Sequence, residues 1–182
     1  CEEPELNNDP PAIKFTTKPS ALIMIDGEPR LKKAEGSELM RVLNTPYFIV
    51  FAPATKDYYL KGGSKWYSAK EYTGPWALAS APPEAAVKLA ASDYLTSAGA
   101  IEDDDVAPEI VVSTVPAELV QTSGEPEFVP IGGTNLLYAG NANKDWFMES
   151  GSKTNYLLLA GRWYKAQTTA GPWEYVASKD LP

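Results

Sequence analysis

Histidine is absent from all 182 residues. That removes catalytic triads built on imidazole and metal centres that use it as a ligand. Cysteine occurs once, as residue 1, so no disulfide closes within the chain and bridging carries no information on redox compartment. No run approaches the ~18 consecutive apolar residues of a membrane-spanning helix. Positive charge is scarce as well: 16 Lys and Arg stand against 24 Asp and Glu, for a net charge of −8. No basic stripe is concentrated anywhere, so no nucleic-acid partner is expected. Gly62-Gly63 and Gly132-Gly133 lack the pattern and the strand-to-helix setting of phosphate loops. No cofactor and no metal are expected.

Aromatic, turn-forming and apolar residues are what the chain does have. Hydrophobic content is 44%, with 16 Pro and 13 Gly, the profile of a globular chain with many turns. The acidity is confined. Residues 1–12 hold four acids and no base, and residues 84–109 hold seven acids against one lysine. These are tethers, and their charge favours solubility.

One motif occurs twice. Trp66-Tyr67-x-Ala69-x4-Gly74-Pro75-Trp76 returns as Trp163-Tyr164-x-Ala166-x4-Gly171-Pro172-Trp173, every position displaced by 97 residues. The same displacement carries Pro19 onto Pro116, Gly27-Glu28-Pro29 onto Gly124-Glu125-Pro126, Asn44 onto Asn141, Lys56 onto Lys153, and Tyr59-Leu60 onto Tyr156-Leu157. Ungapped self-similarity at a fixed period marks a duplicated structural unit. The organisation that follows is an acidic tether (1–12), a β repeat (13–83), a helix and acidic linker (84–109), and a second β repeat (110–182). A unit of about 70 residues buries only ~60% of its surface. Two of them gain from packing on each other, or from self-association through the repeats.

Within copy one, residues 13–17 alternate apolar and polar, residues 21–25 form an apolar run ending at Asp26-Gly27, and residues 47–51 are rich in aromatic and β-branched side chains. Each is a strand signal. Residues 58–61 and 65–68 flank Gly62-Gly63-Ser64, the pattern of a hairpin. Residues 38–80 are predicted as a four-stranded antiparallel meander with a fifth short strand. Pro83 to Leu95, closed by Gly99, reads as one amphipathic helix. The expected fold is all-β: two homologous antiparallel meander units joined by a short helix and an acidic loop.

The aromatics are the sharpest candidates for function. Trp and Tyr faces stack on sugar rings and their polar edges bond hydroxyls, yet the same rings are large enough to serve as core pieces. Neighbours in a strand point to opposite faces, so Trp66 and Tyr67 cannot both lie in one core, nor can Trp163 and Tyr164. The candidate ligand-binding set is Trp66, Tyr67, Tyr72, Trp163, Tyr164 and Tyr175. Glu28 and Glu125 could be paired carboxylates, but a turn Glu beside Pro is ordinarily a solvated charge. The run Glu102-Asp103-Asp104-Asp105 lacks the spaced ligands of a calcium loop. Residues 141–145 (Asn-Ala-Asn-Lys-Asp) are a better loop for a cation or a hydroxyl-rich ligand. Catalysis is not expected.

Two resemblances add to this. A chain beginning at Cys1 and followed by an acidic, Asn- and Pro-containing dozen resembles a mature bacterial lipoprotein. That implies lipidation of Cys1 and a membrane anchor at the outer membrane or cell surface, or on the periplasmic side. The Trp-Tyr-x-Ala-x4-Gly-Pro-Trp repeats, with Tyr-Leu upstream, resemble repeats of large bacterial envelope proteins related to carbohydrate-binding module families 5 and 12. The motif is also similar to outer strands of β-propeller glycosidase blades, although two meanders are too few to close a propeller of ~4–8 blades. The resemblance implies non-catalytic binding of a glycan. The alternatives are a structural subunit that binds an envelope protein in a surface assembly, and a propeller-like glycosidase fragment.

Overall fold

A computed structural model describes residues 8–92 and 106–182. Cys1 and the acidic residues Glu102, Asp103, Asp104 and Asp105 lie outside the described residues, as does the end of the helix expected to run to Leu95. The fold is all-β, built as two similar meander units. Each unit carries a six-stranded antiparallel sheet whose strands follow one another in chain order.

The first sheet contains β3 (Leu31–Lys33), β4 (Met40–Val42), β5 (Ile49–Ala52), β6 (Asp57–Gly62), β7 (Lys65–Ala69) and β8 (Ala77–Leu78). The second contains β11 (Phe128–Pro130), β12 (Leu136–Ala139), β13 (Asp145–Glu149), β14 (Asn155–Leu159), β15 (Arg162–Ala166) and β16 (Glu174–Val176). The five strands expected between residues 38 and 80 are β4 to β8, with β8 the short fifth, and β3 adds a sixth at the other edge. The hairpin expected at Gly62-Gly63-Ser64 forms, with Leu60 opposite Tyr67 and Gly62 opposite Lys65.

The remaining strands do not stay with their own copy. β1 (Ala12–Thr16) pairs in parallel with β10 (Ala117–Gln121), and β2 (Ser20–Met24) pairs in parallel with β9 (Glu109–Ser113). The compact units are therefore Pro19–Pro116 on one hand, and Cys1–Lys18 with Ala117–Pro182 on the other. They are called here the Trp66 unit and the Trp163 unit. The repeat boundaries read from the sequence, 13–83 and 110–182, differ from these by one exchanged strand each. Periodicity locates a copy but says nothing about which strand pairs with which. The chain crosses at Pro19 and Pro116, two prolines that recur in the duplication. Proline has no N–H to donate to a ladder, so it marks the place where one pairing ends and the next begins.

Each exchanged pair covers one face of its sheet. In the Trp66 unit, Ile23 and Ile25 join Val42, Ile49, Leu60 and Tyr67 in a buried core against which Ile110, Val112 and Trp76 pack. In the Trp163 unit the equivalent positions are Val120, Ala139, Trp146, Leu157 and Tyr164, with Ile13, Phe15 and Trp173 packed on them. One substitution set rebalances volume. Ile49, Val42 and Tyr58 become Trp146, Ala139 and Asn155, and the buried Asn155 accepts a hydrogen bond from the Trp146 indole N–H at 3.0 Å. A buried polar group is tolerated once it is paired.

The other face of the Trp66 sheet carries α1 (Glu84–Ser92). Ala86 is fully buried there in a second cluster with Leu39, Phe48, Val50 and Ala52, and Tyr59, Trp66, Leu89 and Ala90 pack on it. A helix placing Ala86, Leu89 and Ala90 on one side presents the i, i+3, i+4 stripe of an amphipathic helix.

Candidate functional site

The duplicated residues first account for the architecture. Asn44 Oδ1 accepts from Arg30 N–H at 2.8 Å, and Asn44 Nδ2 donates to the carbonyls of Asp26 and Glu28 at 2.9 and 2.8 Å. Asn141 repeats the set with Glu127 N–H at 2.8 Å and the carbonyls of Ser123 and Glu125 at 3.0 and 2.8 Å. The Gly-Glu-Pro turns are thus held by asparagine. Their glutamates, Glu28 and Glu125, are both exposed. Asn143 is used in a similar way: its Oδ1 accepts from Gln121 N–H at 2.8 Å and its Nδ2 donates to Leu119 O at 3.3 Å. The 141–145 loop, a sequence candidate for a cation or polyol, spends these amides on the backbone of residues 119–127. Among the described residues no group of three or more acidic or cysteine ligands gathers around a common point.

Gly-Pro-Trp is a turn with a fixed lid. Gly74-Pro75 and Gly171-Pro172 are cis peptides, and the two glycines hold φ of 97° and 87°. A Cβ on Gly171 would lie 3.0 Å from Trp173 N, and one on Gly74 3.1 Å from Trp76 N, so glycine is required both for φ and for space. The indole N–H of Trp76 donates to Tyr72 O and that of Trp173 to Thr169 O, each at 3.2 Å. These tryptophans close the end of each core.

The Trp-Tyr pairs divide between faces, with tyrosine on the inside. Tyr67 and Tyr164 are 2% and 3% exposed, at the centre of their cores. Neither presents a ring face to a ligand, which corrects their inclusion in the candidate set. Tyrosine wins the inner position because it faces Leu60 and Leu157 across the hairpin under the exchanged strand pair. Tyr72 packs its ring 6.2 Å from Tyr58 at the rim of the Trp66 core. Tyr175 is 42% exposed but sits opposite Tyr164, on the sheet face away from Trp163. The six candidates therefore do not form one site, nor two equivalent ones.

Trp66 and Trp163 remain, and their surroundings differ. Trp66 lies edge-on to Phe48, with centroids 5.9 Å apart, in the cluster beneath α1. Trp163 lies on an apolar sheet face with no α-helix over it among the described residues, the short 3-10 helix Ser178–Asp180 leading into Leu181 and Pro182 beside it. Its ring centroid is 5.8 Å from Phe147, which in turn is 5.2 Å from Tyr138. A shallow hollow of about 180 Å³ is lined by Leu136, Phe147, Tyr156, Trp163, Leu181 and Pro182. At equivalent positions Val50 is 0% exposed, whereas Phe147 is part-exposed. Sequence reasoning singled out Trp163 but missed Tyr138, Phe147 and Tyr156. The signal was present: these three alternate with buried neighbours along β12, β13 and β14, and such alternation places them on the outer face.

The face carries charge at its margin. Asp145 and Glu149 flank Phe147 along β13, where the Trp66 unit has Phe48 and Ala52. Lys165 pairs with Glu174 at 3.4 Å. Across known protein families, curated proteins and solved structures, no match to this chain is found.

Proposed function

We propose that this chain is a non-catalytic binding module that docks a protein partner on the Trp163 face. One observation carries the reading: the same sheet face is sealed by α1 in the Trp66 unit, with Val50 fully buried, whereas in the Trp163 unit Phe147 at the equivalent position is part-exposed and no α-helix lies over it among the described residues. A protein rarely leaves a contiguous apolar patch uncovered unless something binds there. The hollow is lined by Leu136, Leu181 and Pro182 as well as rings, a surface suited to apolar side chains more than to hydroxyls. Aromatic-rich, charge-poor centres with charged rims are the composition of protein interfaces. The setting that fits the sequence resemblance is the bacterial envelope.

A second reading keeps a glycan as ligand. The row Tyr138–Phe147–Trp163, at ring spacings of 5.2 and 5.8 Å, would allow stacking on successive sugars.

A photoreactive amino acid at position 147, in chain expressed in its own cells, separates the two. A discrete protein adduct is expected from position 147 and not from position 78, where Leu78 is 60% exposed in the other unit. Equal adducts from both positions would contradict the protein reading. So would retention on an insoluble polysaccharide that is lost in Trp163→Ala.

A further inference from the structure

We infer that the Trp66 unit binds an organic cation, an alkylammonium group, where Phe51, Tyr58 and Tyr72 meet the carboxylate of Glu71. The site belongs to the Trp66 unit alone, so it does not depend on what docks on the Trp163 face.

The backbone beneath it is common to both units. Phe51 faces Tyr58 across β5 and β6, as Met148 faces Asn155 across β13 and β14. The chain then turns at residues 70–74 as it does at 167–171. Gly74 N–H donates to Glu71 O at 2.9 Å, and Gly171 N–H to Thr168 O at 3.0 Å. Each turn is pinned twice more. In one, Lys70 pairs with Asp57 at 2.6 Å and Trp76 donates to Tyr72 O at 3.2 Å. In the other, Gln167 donates to Thr154 at 2.8 Å and Trp173 to Thr169 O at 3.2 Å. What differs is the side chains presented. Phe51, Tyr58, Glu71 and Tyr72 stand where the Trp163 unit has Met148, Asn155, Thr168 and Thr169.

The Trp163 unit uses such polar groups within the fold. Asn155 accepts from the Trp146 indole and donates to the carbonyls of Ala166 and Gln167 at 3.4 and 3.3 Å, and Thr168 Oγ1 donates to Gly171 O at 3.2 Å. In the Trp66 unit, no described residue bonds or pairs with the hydroxyls of Tyr58 and Tyr72 or the carboxylate of Glu71. Lys70, the chain neighbour of Glu71, is committed to Asp57. The three groups share one rim: burial raises the Tyr58 pKa, and Glu71 and Tyr72 raise it further by their charge. The phenol therefore stays protonated at neutral pH, and Glu71 supplies the negative charge.

Ring geometry selects the ligand. Phe51, Tyr58 and Tyr72 are part-exposed and Glu71 is exposed. The Tyr58 ring lies 4.9 Å from Phe51 at 45° and 6.2 Å from Tyr72 at 72°. Rings so inclined make no flat platform for a sugar. They offer a compact cation π-faces and phenol oxygens from several directions, beside a carboxylate that matches its charge. A free alkylamine and a lysine side chain of a protein partner carry this same group.

The test is a titration of the isotopically labelled intact chain at constant ionic strength, read at the resonances of residues 51, 58, 71 and 72. The probes are n-butylammonium chloride and the peptide acetyl-Gly-Lys-Gly-amide, with butan-1-ol and methyl glucoside as neutral controls. Both ammonium probes are expected to shift these resonances saturably, leaving residues 148, 155, 168 and 169 unmoved, and the controls to shift none. Tighter binding of the peptide makes a protein lysine the source; equal or weaker binding makes it a small amine. Glu71→Gln and Tyr72→Thr, the latter copying Thr169, should each weaken the ammonium probes about fivefold. Glu71 is exposed, so Glu71→Gln keeps the fold, and a thermal melt checks Tyr72→Thr. No saturable shift with either ammonium probe, equal shifts with butan-1-ol, or affinity indifferent to both variants would overturn the cation site. So would saturable binding of methyl glucoside at the same residues.

Discussion

The ring of Phe15 lies 5.2 Å from that of Trp146 and stacks 6.1 Å from that of Trp173. Phe15 comes from the first copy of the duplication and both tryptophans from the second. Its strand, β1, adds in parallel to β10 and supplies Ile13 and Phe15 to a core that would otherwise lack one wall. Reciprocally, β9 brings Ile110 and Val112 to the core of Ile49 and Leu60. The duplication is a copy of sequence, while the folding unit is a copy with one strand exchanged.

Fragments should follow the units and not the repeats. Residues 19–116 contain β2 to β9 with α1 and are expected to fold alone, with a cooperative thermal transition. Residues 13–83 lack β9, leave Ile23 and Ile49 unroofed, and should give no cooperative transition. Parallel pairing of distant strands is what a contiguous repeat fragment cannot supply.

Asn44→Ala and Asn141→Ala should cost nearly the same. Each removes one acceptor and two donor contacts from a turn. Both sites lie near solvent, so water replaces part of the loss, and about 1–2 kcal/mol is expected from each. Thermal melts of the two variants test this. A large inequality would mean that the twin networks are not equivalent in solution.

Ala86→Asp should detach α1. Ala86 is 0% exposed, and a carboxylate there has no water and no partner in the cluster of Phe48, Val50 and Trp66. Amide exchange should show lost protection in residues 86–92 with the Trp163 sheet unchanged.

Asp57 gives a small acid sensitivity. The Lys70 ammonium, donating to the carboxylate at 2.6 Å, holds the Asp57 pKa below its ordinary value, with Thr55 assisting. The folded pKa is depressed, so the stabilisation is present above the unfolded value of about 4 and is lost as pH falls through the folded one. The pair lies at the surface, so Asp57→Asn should cost less than about 1 kcal/mol at neutral pH. That difference should vanish in acid. Urea melts at both pH values measure it.

The sequence carried the β class, the hairpins and the duplication, because alternation, turn residues and fixed spacing are local signals. The exchange of β1 and β9 was not legible. Strands 13–17 and 110–115 look alike by construction, and nothing in a strand's own residues names its neighbour. Tyr67 and Trp66 illustrate the same limit at one site. Alternation required that they part company, but which ring turned inward depended on the strand pair roofing the core. The open face needed the comparison of Val50 with Phe147 under and away from α1. A hydrophobic residue in a strand reads the same whether a helix covers it or not.

Hydroxyl-radical footprinting of the free, intact chain tests most directly whether one twin face is closed and the other available for a partner. Phe147 and Leu136 should be labelled several times faster than Phe48 and Leu39, which are 3% and 5% exposed. Equal rates for the two pairs, or faster labelling of Phe48, would contradict a sealed Trp66 face and an open Trp163 face.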